Sequence, residues 1–285
     1  AGYCVGVLEE GRSIFPNSHK YEDGDFIIGL PSSGLHCGGL EQVHAIIERS
    51  KDLMAKLQQP AEFGNKSALL AQEILAPTKT YVKEVLPLIR NKQLKAVGNV
   101  SSCLQDAIKK ILPSGYGAQI SFENVNLPEI YGWLHGPLNI SENSFLENFN
   151  CGVGMVLIAS KSNANEIVKS IPGSSVIGFL KKNSNNITYR NFHEVLMKAS
   201  AHFEKDTGAK IEIIKSEKPV AIKNSVENLL KENSKYENLI LTQSGKRLTK
   251  IPAKYEEPIL VIGTDGVGTK IKIAQQTEIN STVGI

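Results

Sequence analysis

Three short stretches of this sequence have residue types and spacing suited to chemistry. The first is Gly263-Thr264-Asp265-Gly266-Val267-Gly268-Thr269-Lys270, entered by the apolar run Ile259-Leu260-Val261-Ile262. Glycines let backbone N–H groups approach a polyphosphate closely. Asp265 could hold the Mg2+ that neutralises it, and Lys270 could supply a fixed positive charge. Gly263 and Gly268 have the spacing of a Walker A loop, but Thr269 and Lys270 come in the reverse order. The following Ile271-Lys272-Ile273 alternates like a strand, where a Walker A loop needs a helix. The residues alone leave two readings open, a phosphate loop of another kind or a tight turn.

The second stretch, Pro31-Ser32-Ser33-Gly34-Leu35-His36, is a small-residue turn. It suits a phosphate or ribose contact, or simply a strand-to-helix turn with a serine cap. The third, Phe149-Asn150-Cys151-Gly152-Val153-Gly154-Met155, is another glycine-bearing strand entry. His36, Cys37 and His44 offer three metal-ligand types, but helical drift separates them and no fourth ligand is near.

The elements that must position these stretches alternate between strand and helix. Strands are expected at 2–8, 25–30, 94–100, 117–122, 155–159 and 175–179. Helices are expected at 40–57, in a short stretch ending at 75, and at 77–90, 103–112, 127–135, 141–148 and 163–170, with weaker ones at 192–205 and 225–232. Trp133 is read as a core or edge aromatic. The pattern predicts an α/β fold built on mixed α+β sheets. From Lys181 the composition turns to Lys, Asn, Ser and Glu until the apolar signal returns at Pro258.

Composition narrows the function classes. The 285 residues are 41% hydrophobic and 21% charged, which are globular values. A net charge of +3 without an arginine-rich run argues against nucleic acid as a partner. No apolar run approaches a membrane span. Cys4, Cys37, Cys103 and Cys151 are scattered, as reduced thiols of a cytoplasmic protein would be. The first residues already alternate like a strand and the last stop in an apolar run, so a piece of a longer chain is expected.

The glycine-rich loop resembles the nucleotide loop of aminoimidazole ribonucleotide synthetase, the phosphoribosylformylglycinamidine cyclo-ligase of purine synthesis. Five further segments are similar to the last part of that family's chain: Ala1-Gly2-Tyr3-Cys4-Val5-Gly6, Ser32–His36, Pro77–Ile89, Phe149–Met155 and Val176-Ile177-Gly178. Residues 256–285 look like the beginning of another copy. A tail followed by a head implies two units in tandem, an order that resembles the multifunctional purine protein of insects. There the synthetase lies between a glycinamide ribonucleotide synthetase and a formyltransferase.

The resemblance implies the following layout. Residues 1–30 end one N-terminal domain and enter a C-terminal domain at 31–197. Residues 198–255 are a linker or divergent domain entry, and 256–285 start a second, ATP-binding domain. It implies ATP and Mg2+ as cofactors, with Gly263, Thr264, Asp265, Gly266, Gly268, Thr269 and Lys270 on the nucleotide. Asp265 would be the metal ligand and, with Lys270, catalytic. Ser33, Gly34, His36, Asn150 and Gly152 would line the substrate side. The substrate would be formylglycinamidine ribonucleotide, and units would pair as a homodimer or within the chain, with no nucleic acid or membrane partner.

Three departures stand against this. Asn99-Val100-Ser101-Ser102-Cys103-Leu104 replaces the family's glycine run, Gly38 replaces asparagine, and Lys79 replaces arginine, losing a bidentate fork. They raise the alternative of a non-catalytic structural repeat that completes a dimer-like interface.

Overall fold

The computed structural model describes residues 2–8, 21–136, 138–201, 203, 239–241, 247–249, 259–265 and 277. The chain divides into two compact units, one of residues 15–211 with 267–285 and the other of residues 1–14 with 212–266.

In the smaller unit, β1 (Gly2–Leu8) pairs antiparallel with β10 (Ile259–Asp265), Gly2 opposite Asp265 and Leu8 opposite Ile259. Strands β8 (Leu239–Leu241) and β9 (Arg247–Thr249) form a separate antiparallel pair.

The larger unit is organised on a mixed sheet of six strands in the order β3-β5-β2-β6-β4-β7. These are β2 (Phe26–Pro31), β3 (Ala96–Asn99), β4 (Tyr116–Ser121), β5 (Val153–Ala159), β6 (Ser175–Lys182) and β7 (Ile187–Arg190). Every pairing is antiparallel except β4 with β7. The mixed α/β fold expected from the sequence is therefore the one found, with nine helices among the described residues.

Alternation along the central strands explains why helices cover both faces. Ile27, Val156, Ile158 and Ile177 join one apolar cluster, while Ile28, Leu30, Leu157 and Ala159 join another. Both faces of β2 must therefore be shielded, and Ile27 and Ile28 are each fully buried. The first face is covered by α1 (Leu40–Arg49), α3 (Leu70–Ile74), α5 (Leu104–Ile111), α6 (Glu129–His135), α7 (Glu142–Asn148) and α9 (Phe192–Ser200). The second is covered by α4 (Val82–Arg90) and α8 (Lys161–Ser170). Trp133 lies in the first cluster, its ring centroid 5.2 Å from that of Phe63. Among the described residues no helix is long and apolar enough to cross a membrane.

Two elements differ from the sequence reading in ways that matter. The helix expected over 40–57 is broken at Ser50, whose extended backbone ends α1 while its hydroxyl accepts from Leu53 N and caps α2 (Lys51–Lys56). The helix expected from Pro77 starts only at Val82, because Pro77 and Lys79 are engaged by the Ser33–His36 turn and Tyr81 by Pro31. The helix expected at 225–232 lies outside the described residues.

Candidate functional site

Strand β2 ends in a register shift between Leu30 and Pro31 against β5, and the chain leaves the sheet there. Ser32 N still donates to Gly152 O, 2.9 Å, so the turn starts anchored to the loop before β5. Ser33 then folds back on His36. Its N–H donates to His36 Nε2 at 3.1 Å, and its Oγ lies 3.1 Å from the same nitrogen. Lys79 N also donates to Nε2, at 3.4 Å. A nitrogen receiving backbone N–H groups carries a lone pair, which assigns the ring proton to Nδ1. Ser33 Oγ in turn donates to Pro77 O, 2.5 Å. Residues 77–79 are thereby tied to the turn and kept out of the helix.

His36 is buried, and its ring lies over Gly154 in β5. A Cβ at Gly154 would fall 2.6 Å from His36 Cε1 and 1.9 Å from the Tyr81 hydroxyl. Tyr81 Oη donates to Pro31 O at 2.8 Å. Burial, and then the Glu84 carboxylate, push the Tyr81 phenol well above its usual range. Lys79 Nζ lies 5.3 Å from the Tyr81 ring centroid and 3.7 Å from Glu84 Oε1.

Asn150 closes the turn from the other side. Its Nδ2 donates to the carbonyls of Gly34 and Leu35, both at 2.8 Å. Its Oδ1 accepts from Gly152 N and from Tyr131 Oη, also at 2.8 Å. With no exposed surface, this amide is committed entirely to shaping the turn. Pro31, Asn126, Gly152, Gly173 and Ser175 border a small open crevice beside it, of about 10 Å³.

The five residues expected on the substrate side, Ser33, Gly34, His36, Asn150 and Gly152, thus stand together although the chain separates them into two groups. Ser33 is exposed and the other four are buried. On the nucleotide side, Gly263, Thr264 and Asp265 are strand residues of β10, opposite Cys4, Tyr3 and Gly2. The apolar run therefore continues as strand three residues further than expected. Gly266, Gly268, Thr269 and Lys270 lie outside the described residues. Reading the sequence missed Tyr81, Tyr131 and Gly154 as supports. Tyr81 and Gly154 lie inside the stretches singled out above, but nothing in their spacing signals the contacts they make.

Residues 22–186 match the family model described as AIR synthase related protein, C-terminal domain. The chain belongs to that family. It is similar to proteins named trifunctional purine biosynthetic protein adenosine-3. The Drosophila melanogaster protein is 40% identical over 290 residues, covering 100% of this chain and 21% of its own length. The Chironomus tentans protein is 35% identical over 298 residues, with the same two shares. The Homo sapiens protein is 31% identical over 172 residues, covering 60% of this chain and 17% of its own. This member of the AIR synthase related family thus spans about a fifth of the length of the insect relatives it matches. Among solved structures, T. maritima PurL complexed with FGAR is 14% identical with a TM-score of 0.36, covering 67% of this chain and 31% of that one. That likeness is too loose to argue from.

Proposed function

We propose that this chain is the junction between two AIR synthase-like units of a longer purine-biosynthesis protein, and that the parent protein closes the imidazole ring. The reaction would convert formylglycinamidine ribonucleotide and ATP to aminoimidazole ribonucleotide, ADP and phosphate, in the cytoplasm. What supports this reading is the whole-length match to the Drosophila melanogaster protein, 40% identical across 100% of this chain. A relative named as a trifunctional purine biosynthetic protein thus aligns with this chain over its whole length. In this layout residues 31–197 are the C-terminal domain of one unit, 198–255 connect, and 256–285 open the next.

The chemistry requires a poor leaving oxygen to become a good one. ATP would supply the phosphoryl group for the formyl oxygen, and the neighbouring nitrogen would then attack and expel phosphate. Such catalysis depends on positioning and on neutralising charge. Asp265 would hold Mg2+, Lys270 would contact phosphate, and the loop glycines would cradle the nucleotide. Ser33 is the exposed member of the turn and would meet the ribonucleotide; His36, Asn150 and the glycines would set its position. Units would pair as a dimer or within the chain. A second reading, in which this domain is a non-catalytic repeat, draws on the burial of four of the five residues expected on the substrate side.

The test is Lys270→Met in the full-length parent. Turnover should fall by about 10²-fold or more, the scale of losing one charge-stabilising donor. Unchanged ATP-dependent turnover would remove this lysine from the mechanism.

A further inference from the structure

Gly38 follows the turn directly, and its surroundings leave no room for a side chain. It is buried, and its backbone lies outside the left-handed region, so conformation alone would admit other residues. Space does not. A Cβ there would lie 1.8 Å from the Ser102 carbonyl oxygen, 2.9 Å from the Ser102 carbonyl carbon and 2.8 Å from the Asn148 carbonyl oxygen. All three are backbone atoms, so no rotamer change relieves the clash. The two segments that close on Gly38 are themselves joined, since Leu104 N donates to Phe149 O at 3.1 Å. Cys103 Sγ accepts from Asp106 N and caps α5, fixing where the Ser102 carbonyl sits. Two departures noted in the sequence, Gly38 and Ser101-Ser102-Cys103, therefore meet in space.

We propose that Gly38 is a positioning residue of the Ser33–His36 turn beside Asn150, and that its close approach to the Ser102 carbonyl sets where Ser33 and His36 stand relative to the start of α5. The hydrogen bonds among Ser33, His36 and Lys79 hold the turn together as a group and can move with it. The Gly38 contact instead ties that group to the start of α5. The site positioned is the ribonucleotide side of the proposed function, so the inference rests on that reading for its meaning but not for its geometry.

The experiment uses the full chain in a Cys4→Ser background, without nucleotide or substrate. Two readouts are taken: the His36 Cε1–H resonance, and the rate at which Cys37, exposed between His36 and Gly38, reacts with Ellman's reagent. Gly38→Ala should shift the His36 resonance and speed Cys37 modification about tenfold, as local opening of the turn would. Adding Ser101→Gly and Ser102→Gly, which lets the backbone carrying the Ser102 carbonyl shift away from the new methyl group, should bring both readouts back toward the parent values. A Gly38→Ala chain that only melts earlier, with His36 and Cys37 unmoved, overturns the proposal, as does failure of the glycines to rescue. If Gly38→Ala does not fold, Ser102→Gly alone is read, because glycine frees the backbone that carries the Ser102 carbonyl without adding atoms at Gly38. An unmoved His36 resonance there overturns the proposal equally. Ring closure enters neither readout, so a parent protein inactive as a cyclo-ligase would leave this result standing.

Discussion

At the scale of single residues, Asn150 shows how one amide can organise a turn it never exposes. Its four hydrogen bonds, all at 2.8 Å, pair two carbonyls of the turn with the Gly152 N–H and the Tyr131 hydroxyl. Asn150→Ala removes every partner at once and leaves buried donors and acceptors unmet. Each such orphan costs about 1–3 kcal/mol, so a loss of about 3 kcal/mol or more is expected in denaturant unfolding. Asn150→Asp keeps the shape but turns an oxygen toward the Gly34 and Leu35 carbonyls. It should be at least as damaging at neutral pH and recover in part in acid, where the carboxyl regains one proton and so one of the two donated bonds. Equal stability of Asn150→Ala and the parent chain would show that the turn is held by something else. The sequence marked Asn150 through the glycine-bearing stretch around it, yet its burial was not legible. That depends on Tyr131 and Leu35 arriving from distant parts of the chain, which no local pattern encodes.

Among the elements, what was legible followed periodicity, and what was not followed tertiary pairing. The strands β2, β4 and β5 and the helix α5 announce themselves by apolar alternation or a helical stripe. Strand β7 does not: Ile187-Thr188-Tyr189-Arg190 is short, follows an asparagine-rich stretch, and becomes a strand by pairing parallel with β4. The break at Ser50 was hidden too, since a serine inside an apolar stripe reads equally as a helix residue or a cap. The strand entries are pinned by a feature with no sequence signature. Lys95, just before β3, places Nζ 2.8 Å from both oxygens of Asp25, just before β2. Asp25 is 3% exposed. Lys95→Met would leave that carboxylate buried without its cation, costing about 3–5 kcal/mol, whereas Lys95→Met with Asp25→Asn should recover much of the loss. Urea midpoints of the two variants decide it, and a double variant no better than the single one would deny the pair this role.

For the molecule as a whole, the buried phenols and thiols set an alkaline limit. Tyr131 and Cys151 are held well above their ordinary ranges, in both cases chiefly by burial; the next contribution is the Cys151 thiol for Tyr131 and Cys103 for Cys151. Tyr81 and Tyr189 are raised as well, again first by burial. Cys103 follows the same direction for the same leading cause. In the unfolded chain these groups release protons near their ordinary values, about 8.5 for cysteine and about 10 for tyrosine. Above those values the unfolded state binds fewer protons than the folded one, so stability falls as pH rises, by about 1.4 kcal/mol per pH unit for each group still protonated in the fold. Below about pH 8 the contribution is flat. Denaturant unfolding followed from about pH 7 to 11 should therefore show a plateau and then a fall that steepens once the tyrosines join the cysteines. Tyr81→Phe should make the fall shallower while lowering the plateau, because the bond to Pro31 O is lost with the hydroxyl. A stability that stays level to pH 11 would mean that the interior around the Asn150 turn already admits water, and the tight turn geometry would have to be read as one state among several.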